Sequence, residues 1–159
     1  MNKENNIQKP TQVMTLCILR KEDELLLGMK KVRFGAGNYN GYGGKVDPEE
    51  SVEQALVREM KEESDLDLLK YELRGVMKFE FFDSIKEVHI YEGLDCTGVL
   101  VESNEMIPYW FHIDKIPFEK MWKSDKYWFP FFLNREYFEG GAVFDENYNI
   151  LSCKIEKIR

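Results

Sequence analysis

Basic residues are in short supply in this 159-residue chain: 22 lysines and arginines face 29 acids, for a formal net charge of −7. A sequence-independent grip on a nucleic-acid backbone needs a basic surplus on one face, so a polymer is excluded. A single nucleotide is not, because a few local donors and a divalent cation can hold it. Cysteine is also sparse. Cys17, Cys96 and Cys153 are odd in number, far apart and in no metal-ligand spacing, which excludes a disulfide framework and suits a reducing, cytoplasmic setting. Their expected role is that of small buried apolar side chains. No run approaches about 18 uninterrupted apolar residues, and the polar start MNKENNIQKP has no apolar core of signal length, so no membrane association is expected. Linker-like composition, internal repeats and low-complexity tracts are missing too. One domain over residues 1–159, with 1–12 as a flexible head, is the expectation.

What is present fits a globular protein with a real core: 43% apolar and 14% aromatic residues, against 32% charged residues of both signs. Apolar runs at 13–19 and 25–29, separated by RKEDE, predict two strands joined by a charged turn. Gly35, Gly37, Gly41, Gly43 and Gly44, interspersed with Asn38 and Asn40, predict a loop with close backbone approach. Ser51 followed three residues later by Gln54 is a capping-box signature, and Val52, Ala55, Leu56 and Met60 recur behind it at helical spacing. A helix over 51–64 follows. Aromatic and β-branched content predicts strands at 71–82, 87–94, 109–113, 141–144 and 150–155. Before the last two lies FEKMWKSDKYWFPFFLN, which predicts a short second helix despite Pro130. The class is α+β, a twisted sheet with at least two helices.

The first helix carries an unusual crowd of acids, REMKEE. With Val52 at zero, Glu59 falls at about 340° and Glu63 at about 20°, so both continue the apolar stripe. Glu62, at about 280°, stands at its margin, where Arg58, at about 240°, can pair with it across one turn. A solvated charged face is the ordinary explanation of such a run. Yet like charges at these spacings repel by a few tenths of a kcal/mol when exposed, and by more when partly buried. Inward carboxylates need a cation, and clustered hard oxygens are what Mg²⁺ or Mn²⁺ accept.

The same stretch resembles the Nudix box, Gly-x5-Glu-x7-Arg-Glu-U-x-Glu-Glu-x-Gly-U with U a bulky aliphatic, through Gly44, Glu50, Arg58, Glu59, Met60, Glu62, Glu63 and Leu66. Asp65 stands where that family has Gly, a left-handed position that Asp tolerates at a small stability cost. The resemblance implies a Nudix α/β/α sandwich with a mixed central sheet, and hydrolysis of a nucleoside diphosphate linked to another group. Water attacks phosphorus while bound Mg²⁺, or Mn²⁺, neutralises the charge growing on the phosphate oxygens. Carried onto this chain, the metal ligands are Glu59, Glu62, Glu63, the carbonyl of Gly43 and an acid from a later loop, Glu105, with Glu102 as the alternative. Glu59 ranks ahead of Glu63 as the base. Arg58 orients the neighbouring carboxylates. Lys45 either offsets phosphate charge or is a solvated turn lysine.

Beyond the box, GMKKVRFGAGNYNGYGGKV, ESNEM and IPFEKMWKSDKYWFP resemble the oxidised purine nucleoside triphosphate hydrolases, from about residue 13 to the C-terminus. That resemblance implies a small-molecule partner, 8-oxo-dGTP or 2-hydroxy-dATP, cut to the monophosphate and pyrophosphate by a monomer. Trp122 would stack on the base, with Phe34 and Phe79 lining the cavity. Asn40 and Asp125 would read the base edge, and Thr15 and Lys30 would approach sugar or phosphates. Tyr42, Gly43, Gly44, Lys45, Lys123 and Ser124 complete the expected substrate contacts. The resembling enzymes carry two adjacent acids after the Trp. Here the first is Ser124, so a coupled carboxyl pair is missing, although a hydroxyl still donates and accepts. Binding of oxidised guanine is expected to persist with a changed ranking among purines. Two rivals fare worse. Nudix hydrolases of ADP-ribose often have a proline some fifteen residues past the box, and none falls between Leu66 and Pro108. A nucleotide-binding module without catalysis would have lost ligand acids that this chain keeps.

Overall fold

Strand residues point alternately to opposite faces, so the burial of the first strand sets the layering. In β1 (Thr11–Lys21), Cys17 and Leu19 pack on one face and Leu16 and Ile18 on the other, so both faces of the sheet are covered. The computed structural model describes residues 8–159. After β1 come β2 (Glu24–Lys30), β3 (Tyr39–Asn40), α1 (Val52–Ser64), β4 (Asp67–Glu80), β5 (Ile85–Thr97), β6 (Met106–His112), α2 (Asp125–Leu133), β7 (Phe138–Phe144) and β8 (Ile150–Lys157). The sheet runs β3-β2-β1-β5-β4-β7-β8, with β6 paired to β2. It is mixed: β1 with β5 and β4 with β7 are parallel, while the other pairs are antiparallel.

One face is covered by α1 through Leu56 and Met60, which pack with Cys17, Leu26, Tyr42 and Tyr91. On the other, α2 sets Trp128, Phe129 and Phe132 against Ile18, Leu27, Met77 and Ile90. The result is the expected α/β/α sandwich. Pro130 sits inside α2, where it removes a backbone donor; the apolar burial around it holds the helix together. The far end of α2 is tied to the sheet by a buried carboxylate. Glu92 of β5, fully buried, accepts from Arg74 Nη2 at 2.6 Å and from Arg135 Nε at 3.2 Å, and Arg20, 3.7 Å away, also donates to the Leu133 carbonyl.

A departure from a simple meander positions the site. β1 and β2 pair only at Leu19–Lys21 with Glu24–Leu26, then separate. Into the gap runs the segment after β3: Tyr42 exchanges backbone hydrogen bonds with Cys17, Thr15 N–H donates to the Gly44 carbonyl at 2.9 Å, and Val46 N–H to the Val13 carbonyl at 3.0 Å. Gly43 lies so close that a Cβ would overlap the Thr15 carbonyl, and one on Gly44 would stand 2.6 Å from Glu59 Oε1. Both positions need glycine for proximity rather than for an unusual backbone angle.

Several expected boundaries move. Residues 1–7 of the expected head lie outside the described residues, and β1 begins at Thr11, where register pairing to Ile85 starts, so 11–12 are strand rather than head. β4 starts at Asp67 rather than 71, and β6 at Met106 rather than 109, since neighbouring strands extend the pairing past the aromatic segments. Ile113 belongs to a single 3-10 turn, and Phe118–Lys120 forms another, so α2 is shorter than its apolar segment. Cys17 is buried as expected; Cys96 and Cys153 are half-buried.

Candidate active site

The N-cap of α1 is Ser51: its hydroxyl accepts from Gln54 N–H at 3.1 Å, and the Gln54 side chain accepts from Ser51 N–H at 2.8 Å. The cap fixes where the helix starts and therefore which acids face inward. Glu63 is 7% exposed and the Glu59 side chain 15%, whereas the Glu62 side chain is 58% exposed. Arg58 ties the set together. It grips Glu50 through Nε at 3.0 Å and through Nη2, reaches Glu59 Oε1 at 3.0 Å and Glu62 Oε2 at 3.2 Å, and donates to the Lys45 carbonyl at 3.1 Å. That two-pronged contact holds the Glu50 carboxyl down at about 2, below the usual range.

Glu63 has no such cation. Burial, then the hydrogen bond that its protonated carboxyl donates to Glu59, then the charges of Glu59 and Glu105 push its carboxyl up to about 9, while Lys30 pulls the other way. Among the described residues no three acids converge in ready-made ligand geometry. Even so, the donor set is all oxygen: Glu59 and Glu63 in contact, Glu105 and Gly43 lining the same cavity as Glu63. Such a set suits a hard divalent cation, whose charge would relieve the repulsion. Glu105 reaches Arg33 Nη1 at 3.2 Å, whereas Glu102 is engaged by Lys31 Nζ at 2.7 Å and does not line the cavity.

The cavity itself encloses about 160 Å³, close to the space of about 150 Å³ that accepts a benzene ring in an apolar protein interior. Its flat surfaces come from Phe34, Trp122, Phe79, Phe81 and Phe144. Phe34 lies against Trp122, ring centroids 4.8 Å apart. Polar groups point into this apolar setting. The Asp125 Oδ1 accepts from Trp128 Nε1 at 3.1 Å, but its Oδ2 is buried with no partner, as are the Ser124 and Thr15 hydroxyls. Burial pushes the Asp125 carboxyl up to about 7, against the opposing pull of the Trp128 hydrogen bond. Asn40, whose Oδ1 accepts from Gly41 N–H at 2.9 Å, lines the same space. Buried unpaired donors and acceptors are costly unless a ligand completes them.

Of the residues singled out in the sequence, Thr15, Lys30, Phe34, Asn40, Gly43, Gly44, Phe79, Trp122, Ser124, Asp125, Glu63 and Glu105 meet at this cavity. Others do not line it. Tyr42 is buried in the α1-side cluster, close enough to Glu63 for its hydroxyl to feel that charge, and its hydroxyl is unpartnered. Lys45 is exposed, and Lys123 bonds Asn149 Oδ1 at 2.6 Å. Glu59 sits just behind Glu63, and Glu62 outside with Arg58. Sequence reading missed Phe81, Lys86 and Phe144. Phe81 was within reach, standing two residues past Phe79; Phe144 arrives on β7 alongside β4, a tertiary pairing with no local signal.

Comparison with known proteins agrees with this geometry. The chain is 41% identical to the oxidized purine nucleoside triphosphate hydrolase of Danio rerio and 39% identical to that of Mus musculus, each covering 93% of this chain and 96% of the relative. The crystal structure of the MutT protein from Bacillus halodurans superposes with a TM-score of 0.83 at 25% identity, over 91% of this chain and 97% of that one. The NUDIX domain pattern matches residues 9–132. With its acid helix capped at Ser51, its glycine pair set against Glu59 and its mixed sheet sandwiched between two helices, the chain belongs to the NUDIX domain family.

Proposed function

We propose that this protein hydrolyses oxidised purine nucleoside triphosphates, 8-oxo-dGTP first and 2-hydroxy-dATP also, to the monophosphate and pyrophosphate, as a single-domain cytoplasmic monomer that needs Mg²⁺. One observation carries the reading: a ring-sized cavity joins flat aromatic walls and the unpartnered polar atoms of Ser124 and Asp125 to the inward Glu63 of α1, with Glu59 in contact behind it. The names of the two relatives support the same substrate class. Among the described residues no helix is long and apolar enough to cross a membrane.

In this reading the aromatic walls take the base by stacking, and Asp125, Ser124 and Asn40 read its edge. Thr15 and Lys30 meet the sugar and phosphates. Glu59, Glu62, Glu63, Glu105 and the Gly43 carbonyl would hold Mg²⁺, which when bound supplies charge neutralisation at the phosphate oxygens. Glu59 takes the proton from the attacking water, with Glu63 as the alternative, and Arg58 keeps Glu59 oriented. Water adds across a P–O–P bond, so each turnover yields one nucleoside monophosphate and one pyrophosphate.

The test is pyrophosphate release over a panel of oxidised and unmodified purine triphosphates with Mg²⁺, and ADP-ribose as control. Oxidised purines should lead, and Glu63→Gln should lower kcat/KM at least about 100-fold. Cleavage of ADP-ribose with no release from any triphosphate would refute the proposal.

A further inference from the structure

Two lysines line the cavity, Lys30 and Lys86, and they keep different company. Lys30 is near enough to Glu63 to oppose its charge. Lys86 sits in the aromatic wall. On β5 it precedes Val88 and Ile90 by two and four residues, and all three line the cavity, as strand alternation requires. Its antiparallel partner on β4 is Phe79. Its Nζ lies 4.8 Å from the ring centroid of Phe34 and 5.5 Å from that of Phe81.

Among the described residues the Lys86 side chain makes neither a hydrogen bond nor an ion pair, although it is half-buried. Burial first, then the charges of Lys30 and Lys45, lower its pKa, and Asp83 opposes them only in part. Attraction to two ring faces offsets some of this cost. It does not satisfy three N–H donors, and a wall that only had to pack would be better served by a neutral side chain. A half-buried donor with no protein partner, lining the same cavity as the unpartnered Asp125 and Ser124 oxygens, marks a place where the ligand supplies the partner.

We propose that Lys86 contacts the base of the bound nucleotide, donating to an exocyclic oxygen that oxidation adds to the purine ring, and so sets selectivity for oxidised over unmodified purines. This rests on the nucleotide reading above. An unmodified purine has a C–H at the oxidised position, which offers nothing to an ammonium group, so at that position it leaves the half-buried Lys86 without a partner. A site that must hydrogen-bond one atom rejects the analogue lacking it more strongly than apolar packing can. Phosphate and sugar oxygens, and base acceptors that the oxidised and unmodified purines share, are the other partners a nucleotide offers. The position of Lys86 among Phe34, Phe79 and Phe81, surfaces suited to a ring, favours the base.

The experiment compares wild type, Lys86→Met and Lys86→Arg on two pairs, 8-oxo-dGTP with dGTP and 2-hydroxy-dATP with dATP. Lys86→Met is expected to lower the oxidised-to-unmodified ratio of kcat/KM about tenfold for at least one pair, chiefly through KM, and Lys86→Arg to restore most of it. Titration calorimetry with the corresponding nucleosides, which carry no phosphate, should show the same loss of preference. Equal losses for both members of each pair would place Lys86 on an acceptor that the two share, such as a phosphate, and unchanged kcat/KM for every substrate would leave it a packing residue; either result overturns the inference. Should Lys86→Met not fold, Lys86→Gln reads the same ratio. A wild type that releases no pyrophosphate sinks the functional reading instead, and the nucleoside titrations still decide the role of Lys86.

Discussion

Asp125 couples stability to pH. Burial raises its carboxyl from 3.8 to about 7, so between those values the native protein holds a proton that the unfolded chain has released. Its contribution to stability is therefore full below about pH 4 and is lost as pH rises toward 7. Urea denaturation of wild type and Asp125→Asn should show this: the difference in unfolding free energy should move against the wild type by a few kcal/mol, on the order of magnitude only, across that window. A flat difference would mean that Asp125 is better solvated than its burial indicates. Next to it, Ser124 offers a hydroxyl but no charge, so Ser124→Asp should change the 2-hydroxy-dATP to 8-oxo-dGTP preference about tenfold, read by steady-state kinetics. At this scale the inward Glu59 and Glu63 were legible from helical spacing alone, and Glu62 fell at the margin where the structure places it. Lys86 was not, because a lysine in a strand gives no sign of which neighbours its neighbouring strands will bring.

Among the elements, α1 was the most legible, since capping box, apolar stripe and left-handed exit are all local. Asp65 does close the helix in the left-handed region, with φ of 64°. Asp65→Gly should raise stability by about 0.5–1 kcal/mol, relief of that backbone strain being partly offset by the greater freedom of glycine in the unfolded chain. The exposed Lys61–Asp65 pair, at 3.4 Å, is too solvated to reverse the sign. A chemical denaturation curve checks the shift, with kcat/KM expected within about twofold of wild type. β3 was illegible for the opposite reason. A two-residue strand has no alternation to read, and its place depends on β1 and β2 parting, which is decided by all three strands together.

For the molecule as a whole, the proposed function links folding to ligand binding at the crowded acids. Mg²⁺ with a non-hydrolysable triphosphate at about 100 times its Kd should add about 2.7 kcal/mol of stability, or roughly 5–10 °C in Tm for a domain of this size, and EDTA should remove the metal-dependent part. An unchanged melt would mean that the acids bind nothing. A twisted sheet with two helices was foreseeable from the local patterns, and the sandwich arrangement from the resemblance to the Nudix box; the cavity, built by loops and strands far apart in sequence, was foreseeable only in its separate pieces. Its walls also contain two of the three indole rings of the protein. Trp122 and Trp128 line the cavity, whereas Trp110, on β6 and 40% exposed, lies outside it. An arriving base must change the surroundings of the first pair and leave the third alone. Intrinsic emission at tryptophan wavelengths should therefore report occupancy directly, giving an unlabelled optical readout for every variant above that keeps both rings.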